Sequence, residues 1–332
     1  MEYRQLGTSD LRVPTVIFGA WAIGGWYWGP QDDKESVDAI RAAVDAGITC
    51  IDTAPMYGMG HSERVVGEAI RGIREKVLVA TKCGLRWDTP DQGTEYFTCE
   101  MPDGSTHPVR RNLHKDAILE EVDQNLQRLG IDVIDLYQCH WPDQSAPIAE
   151  TMEALVTLKE QGKIRAIGVS NFTPEMMAEC IRHGPLASDQ PPYSLLDRRI
   201  EDDVLPFCRE HDIGVIVYSP LHQGLLTGKV TMDREFDDQD YRKRRPWFQP
   251  RNRARVLGAL EKVRPIAERY QATLAQITIA WTVAQPGVTA AIVGARNAQQ
   301  AVENARAADI KLADEELAEV RAVFEQLGDP VE

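Results

Sequence analysis

The sequence has no CxxC pair, no cysteine–histidine cluster with zinc-site spacing, and no run approaching roughly 18 apolar residues that could form a membrane span. Its six cysteines, Cys50, Cys83, Cys99, Cys139, Cys180 and Cys208, lie far apart, so a reduced protein without a metal is expected. The opening MEYRQLGTSD has no apolar leader segment, which points to the cytoplasm. Positive charge is also scarce: 37 Lys and Arg stand against 51 Asp and Glu, a net charge of -14. The resulting anionic field argues against nucleic acid or acidic lipid as the main partner, while leaving room for a local basic pocket. Finally, no GxGxxG follows the first apolar run, which removes the usual fingerprint of a doubly wound dinucleotide-binding sheet.

What is present is a regular alternation. A hydrophobic share of 43% with 27% charged residues is that of a soluble globular chain with ample core. Two extended segments, Tyr3 to Leu6 and Arg12 to Pro14, flank GTSD and read as a hairpin. Eight short apolar runs follow: Val16 to Ala20, Thr49 to Asp52, Val77 to Lys82, Val133 to His140, Ile164 to Asn171, Ala187 to Gln190, Ile213 to Ser219 and Ala290 to Gly294. Amphipathic stretches such as KESVDAIRAAVDAG and HKDAILEEVDQNLQRLG separate them, several opening on Ser, Thr, Asp or Glu and closing on Gly. Eight such βα units predict one α/β domain over residues 1–332, a (β/α)8 TIM barrel with the hairpin plugging one end. The pattern breaks after the third and seventh strands, where long loops run from Lys82 to His114 and from Ser219 to Arg251; both project from the catalytic face. Helices are expected over Arg251 to Tyr270, Thr273 to Gln285 and Asp314 to Leu327.

The strand ends carry the chemistry. Trp21, Asp52 with Tyr57, Lys82, His140 with Trp141, Ser170 and Asn171, Gln190, Tyr218 and Ser219, and Gly294 with Arg296 would form one ring at the C-terminal mouth of a barrel. Polar groups ending apolar strands are costly to bury unless they satisfy one another or a ligand. Taken singly, Asp52 reads as a turn cap, Lys82 as a surface lysine and His140 as a packed core histidine. Together with Tyr57 they read as proton chemistry. Lys82 pairs with Asp52, and an ammonium beside the Tyr57 hydroxyl is expected to pull that phenol below its usual pKa of about 10. Tyr57 becomes a general acid, and His140 hydrogen-bonds the same oxygen and orients a carbonyl.

IDTAPMYG with GHSERVVGEAI, then VLVATK, LYQCHWPD, GKIRAIGVSNF, SDQPPYSLLDR, YSPLHQGLLTGK and IVGARNAQQAVEN resemble the aldo-keto reductase superfamily, in order and across the whole chain. GAWAIGGWYWG and QPPYSLLDR resemble in particular its bacterial general stress and inositol-operon branch. The resemblance implies a barrel that binds NADPH/NADP+ in extended form, with Tyr57 as proton donor, Lys82 and Asp52 tuning it, and His140 orienting the substrate. It implies that Ser170, Asn171 and Gln190 hold the nicotinamide carboxamide and that Tyr218 stacks on its ring, with Trp21 also at the cofactor. The residue chemistry agrees: two amides and a hydroxyl suit a group that both donates and accepts.

The loop SPLHQGLLTGK, with Ser219, Leu221, Gly224, Leu225, Thr227 and Gly228, has the glycines and backbone N–H groups to wrap a pyrophosphate, with Lys229 as a charge partner. Gly-rich loops are more often plain turns. Gly294 and Arg296 open the last helix of the barrel, with Gln300 and Asn304 on it; a helix N-terminus with an arginine suits a phosphate monoester, giving a preference for NADP over NAD. The alternative for Arg296 is a solvated surface charge. Trp21, Trp26, Trp28, Trp87 and Trp141 fall on mouth loops and describe an aromatic pocket for a small carbonyl or sugar substrate, or else plugs beneath the loops. The chain stops soon after Leu327, so no long C-terminal tail is expected over the pocket. The cluster Arg242 to Arg245 reads as a solvated loop face in preference to a cover over the cofactor phosphates. The expected reaction is NADPH-dependent carbonyl reduction. An NADP-dependent aldose dehydrogenase and a slow redox sensor that binds NADPH are the alternatives.

Overall fold

In the computed structural model of the chain, residues 1–25, 31–89, 91–100, 105–237 and 240–331 are described. Thirteen strands are assigned: β1 Tyr3–Gln5, β2 Arg12–Pro14, β3 Val16–Gly19, β4 Cys50–Asp52, β5 Leu78–Cys83, β6 Leu85–Arg86, β7 Thr94–Glu100, β8 Thr106–Arg111, β9 Ile134–Cys139, β10 Ile164–Ser170, β11 Ser188–Gln190, β12 Gly214–Val217 and β13 Ala290–Gly294. Eight of them close a parallel barrel in the order β10-β11-β12-β13-β3-β4-β5-β9, the (β/α)8 architecture predicted from the alternation. Each of the eight predicted runs holds one barrel strand.

Burial accounts for the apolar composition of those runs. The barrel wall is covered outside by helices and filled inside by side chains, so β3 and β9 are buried along their whole length. β1 and β2 form the expected antiparallel hairpin. It stops one end of the barrel, where Leu6, Leu11 and Val13 pack with Ile17, Leu136, Ile216 and Ile292 from the strands.

Local signals set the helix limits. Asp32 caps Asp33–Asp45 by accepting the Glu35 N–H, Thr173 caps Pro174–His183, and Thr273 with Gln276 forms a reciprocal capping box at Leu274–Val283. Gly130, in the left-handed region, ends Lys115–Leu129. The helices foreseen near the C-terminus lie at Pro250–Arg269, Leu274–Val283 and Asp314–Glu325, within two residues of the expected limits.

The first long loop differs from expectation. It folds into a three-stranded antiparallel sheet, β6-β8-β7, seated beside the barrel mouth on Met56, Met59 and Trp141. This segment is strand, not loop, because each strand buries an apolar residue, Leu85, Cys99 or Val109, against that apolar base.

Candidate active site

Register brings the polar strand ends together. Asp52 lies beside Ala80, Lys82 beside Gln138, and Ser170 beside Gln190, so groups from β4, β5, β9, β10 and β11 share one level at the mouth. Asp52 and Lys82 are buried, at 2% and 0% exposure. Full burial of an ammonium demands that its donors be used. Lys82 Nζ donates to Asp52 Oδ1 at 2.6 Å, to the Thr53 carbonyl at 3.0 Å and to the Tyr57 hydroxyl at 3.4 Å. Two amides complete the carboxylate: Gln190 Nε2 donates to Asp52 Oδ2 at 2.8 Å and Gln138 Nε2 at 3.3 Å.

Tyr57 stands on the turn after β4. The ring of His140 meets it edge-on, with centroids 5.8 Å apart, and the Trp21 ring lies 6.3 Å from it, tilted by 37°. This turn is held by a close backbone contact. A Cβ on Gly24 would lie 2.6 Å from the Tyr57 carbonyl carbon, and one on Gly58 would lie 2.4 Å from the Gly24 oxygen. Glycine at both positions is what lets the Trp21–Gly24 turn and the Tyr57 turn touch.

The electrostatics correct one expectation. The Lys82 ammonium was expected to draw the Tyr57 phenol below its ordinary pKa. Instead burial, with Asp52 adding to it, holds Tyr57 well above the ordinary value, because the phenolate would lose its water beside an existing carboxylate. Burial also lowers Lys82, an effect opposed by Asp52. His140 is held well below the ordinary histidine value by burial and by Lys82, so it is a neutral imidazole. His140 donates no hydrogen bond to Tyr57 among the described residues, and its Nδ1 has no partner there.

The next strand ends form a second chain of contacts. Ser170 Oγ donates to the Gln190 carbonyl at 2.7 Å, Asn171 Nδ2 donates to the His140 carbonyl at 3.1 Å, and Tyr218 OH donates to Asn171 Oδ1 at 2.9 Å. Asn171 and Ser219 both hold the left-handed backbone region, at φ 63° and 58°. Non-glycine residues there carry strain that gathers at functional sites. The loop after β12 continues the pattern with His222, Gln223, Gly224 and Gly228 at positive φ, and Gln223 Oε1 is buried without a partner among the described residues. A Cβ on Gly224 would meet nothing within 4 Å, so the loop has an open face; Leu225 is buried beneath it, Leu221 packs on the core, and Thr227 Oγ1 donates to the Gly224 carbonyl at 2.6 Å.

At the far end of the mouth, Gln300 accepts the Arg296 N–H at 2.9 Å and Asn304 donates to the Gly294 carbonyl at 3.1 Å, which fixes the turn after β13. Arg296 is half-buried, and burial, with Arg242 and Arg234 adding to it and Asp240 opposing, lowers its pKa. The solvated-face reading of Arg242 to Arg245 therefore holds for Lys243, Arg244 and Arg245, which are exposed, and fails for Arg242, which turns inward to pair with Asp240 at 2.7 Å. Tyr241 follows it inward and meets Trp21 with ring centroids 6.3 Å apart. Lys229 is exposed and faces Glu303 at 3.6 Å. Trp87 and Trp141 pack on the apolar base of the three-stranded sheet. Trp26 and Trp28 lie outside the described residues.

Several contributors were not among the residues foreseen. Gln138 supports Asp52, and a polar residue within the apolar run VIDLYQCH was a readable sign of it. Glu63, buried behind Lys82, accepts from Thr81 at 2.6 Å, Asn125 at 3.0 Å and Arg128 at 2.5 Å, and Asn125 in turn donates to the Lys82 carbonyl at 2.9 Å. Tyr96 and Arg111, from β7 and β8, reach Trp141 at the mouth.

The family model described as the aldo/keto reductase family matches residues 15–325. The chain is 40% identical to the NADH-specific methylglyoxal reductase of Escherichia coli (strain K12) over 329 residues, 97% of this chain and 98% of that protein. It is 38% identical to the aldo-keto reductase YhdN of Bacillus subtilis (strain 168), covering 100% of this chain and 96% of that one. Among solved structures, the glycerol dehydrogenase AKR11B4 from Gluconobacter oxydans superposes with a TM-score of 0.87 at 39% identity, over 99% of this chain and 97% of that one. With a barrel closed as the alternation required and a family match from the first barrel strand into the last helix, the chain belongs to the aldo/keto reductase family.

Proposed function

We propose that this protein, acting as a single barrel domain, reduces the carbonyl group of small aldehydes and ketones with NADPH, and that Tyr57 delivers the proton. The observation that carries this reading is the contact of Lys82 Nζ with both Asp52 and the Tyr57 hydroxyl, at 2.6 and 3.4 Å, beside a neutral His140. When bound, a nicotinamide cofactor would supply a hydride to the carbonyl carbon. Residues suited to hold it surround the mouth: Ser170, Asn171 and Gln190 with Tyr218 at one end, the open-faced loop from Ser219 to Lys229 along the middle, and Arg296 with Arg242 and Arg234 at the other.

In this reading the substrate oxygen lies between Tyr57 and His140. Burial keeps Tyr57 protonated through the neutral range, so it yields its proton only to a stronger base, the alkoxide that develops on that oxygen. Lys82, already hydrogen-bonded to the hydroxyl, then stabilises the phenolate left behind, while Asp52 keeps the lysine charged and aimed. His140, neutral, is a hydrogen-bond donor to the carbonyl and does not compete as an acid. Trp87 and Trp141, partly buried on the apolar base of the three-stranded sheet, are suited to wall a pocket for a small substrate.

A second reading is the reverse reaction, oxidation of a polyol or sugar. The similarity to a protein described as a glycerol dehydrogenase supports it. The raised Tyr57 pKa favours reduction, since oxidation needs the phenolate first. The test mixes protein with NADPH and a panel of small aldehydes, and separately NADP+ with polyols and sugars, following nicotinamide absorbance. Aldehyde-dependent consumption that disappears in Tyr57→Phe, with cofactor binding kept, is the expected result. Undiminished turnover in Tyr57→Phe overturns the proton-donor role, and tight NADPH binding without consumption on any substrate favours a sensor.

A further inference from the structure

Beside the Tyr57–His140 pair stands a cation that the proposed chemistry leaves unused. The Arg111 guanidinium lies 4.0 Å from the centre of the Tyr96 ring and 5.4 Å from that of Trp141, the residue that follows His140. The two rings are themselves 5.6 Å apart, so the guanidinium is held against an aromatic corner. Trp141 follows His140, whose ring meets that of Tyr57 with centroids 5.8 Å apart, so the corner stands beside the site.

A guanidinium held over aromatic rings still offers its terminal N–H groups, the geometry that takes a carboxylate or phosphate through two parallel hydrogen bonds. Among the described residues no carboxylate pairs with Arg111, and its Nε is buried without a hydrogen-bond partner. Arg86, Arg128, Arg242 and Arg321 all have carboxylate partners. In a chain with a net charge of -14, an uncompensated arginine at the mouth opposes the field that would otherwise turn an anionic substrate away.

We propose that Arg111 recognises an oxyanion on the substrate, so that the carbonyl compounds this protein prefers carry a carboxylate or phosphate a short distance from the reacting carbon. The proposal rests on the carbonyl-reducing reading above and names its substrate class.

The experiment compares kcat/KM for matched pairs in the NADPH-loaded enzyme: succinic semialdehyde against butyraldehyde for a carboxylate, and glyceraldehyde 3-phosphate against glyceraldehyde for a phosphate. The wild type should prefer the anionic member of at least one pair, and which pair shows the preference identifies the oxyanion. Arg111→Met, which keeps an unbranched stem against the rings, should lower that anionic-to-neutral ratio about 10- to 100-fold, the scale of a charged hydrogen-bonded pair. Arg111→Lys should restore part of it, and added salt should erode the wild-type preference. Equal ratios in wild type and Arg111→Met overturn the proposal while leaving carbonyl reduction intact. If no aldehyde is turned over, the reading beneath it falls separately. Titration of the cofactor-loaded protein with succinate and with inorganic phosphate, read by tryptophan fluorescence, then decides: binding weakened at least about tenfold in Arg111→Met supports the arginine, and equal binding overturns it.

Discussion

Lys82 has three hydrogens and uses one on a carboxylate, one on a backbone carbonyl and one on a phenol. That division is why a fully buried ammonium is tolerated at the end of β5 and why it points where it does. At Tyr57 the prediction is sharp: Tyr57→Phe removes one oxygen and should cost about 10²- to 10⁴-fold in kcat, the range of a positioned general acid, with cofactor affinity nearly unchanged. A second residue-scale prediction concerns the guanidinium group after β13. Arg296 sits half-buried just before the helix Ala298–Arg306, where a guanidinium beside a helix N-terminus suits a phosphate monoester. Arg296→Ala should weaken NADPH binding about 10-fold or more while NADH changes little. Equal losses for the two cofactors in a fluorescence titration would sink the preference. The relative named as NADH-specific gives this measurement its interest. At this scale Asp52, Tyr57, Lys82 and His140 were legible because each ends an apolar run or follows its end, so burial and polarity conflict within a few residues. Tyr96 and Arg111 were not, since nothing in the stretch after Lys82 announces that a guanidinium from one strand will meet a ring from its neighbour and another from the turn after β9. The direction of the Tyr57 shift was also hidden, because a sequence names the charged neighbour but not the water that burial removes.

Elements carry these residues to their places, and their contacts are less forgiving than the residues themselves. The barrel was readable from eight alternating runs because covered parallel strands must be apolar throughout. The three-stranded sheet after β5 was not, as its strands face apolar ground on one side only and the pattern is short. Where the Trp21–Gly24 turn crosses the Tyr57 turn, the spacing is set by two glycine backbones. In Gly24→Ala the new methyl would press on the Tyr57 carbonyl carbon at 2.6 Å, backbone against which no side chain can yield. The two turns must separate, at a cost of about 1–3 kcal/mol, and the Tyr57 hydroxyl moves with its turn. Both the melting temperature and kcat should fall; a variant with wild-type values of both would show that the turns slide apart freely.

For the molecule as a whole, acid groups sealed outside the site shape how stability changes with pH. Asp189, next to the site residue Gln190, is completely buried, and among the described residues neither carboxylate oxygen has a side-chain partner; burial, partly offset by nearby backbone N–H groups of Phe172 and Gln190, pushes its pKa from 3.8 up to about 8. Glu121, buried with one oxygen accepting the Gly84 N–H at 2.8 Å, is pushed to about 8 as well. Such groups hold a proton in the folded state at pH values where the unfolded chain has released it. Their contribution is complete below about pH 4 and is lost as pH rises to about 8, so stability should decline across that window. Asn has the shape of a protonated aspartic acid and does not titrate. Urea unfolding of Asp189→Asn should therefore match wild type near pH 4 and exceed it increasingly as pH rises toward 8, by at most about 1.4 kcal/mol per pH unit. An unchanged slope between the two pH values would mean that Asp189 reaches water.

Barrel closure has one more consequence. The register that sets Lys82 beside Gln138 also sets Cys83 beside Cys139, and a slip of one residue anywhere around the ring would turn mouth groups into the wall and wall groups into the mouth. A misthreaded chain could still be compact and helical, with every spectroscopic sign of folding, yet the lysine would no longer meet the phenol. Turnover is thus a stricter gauge of correct closure than circular dichroism, and recovered activity is the quantity by which refolding of this protein should be counted.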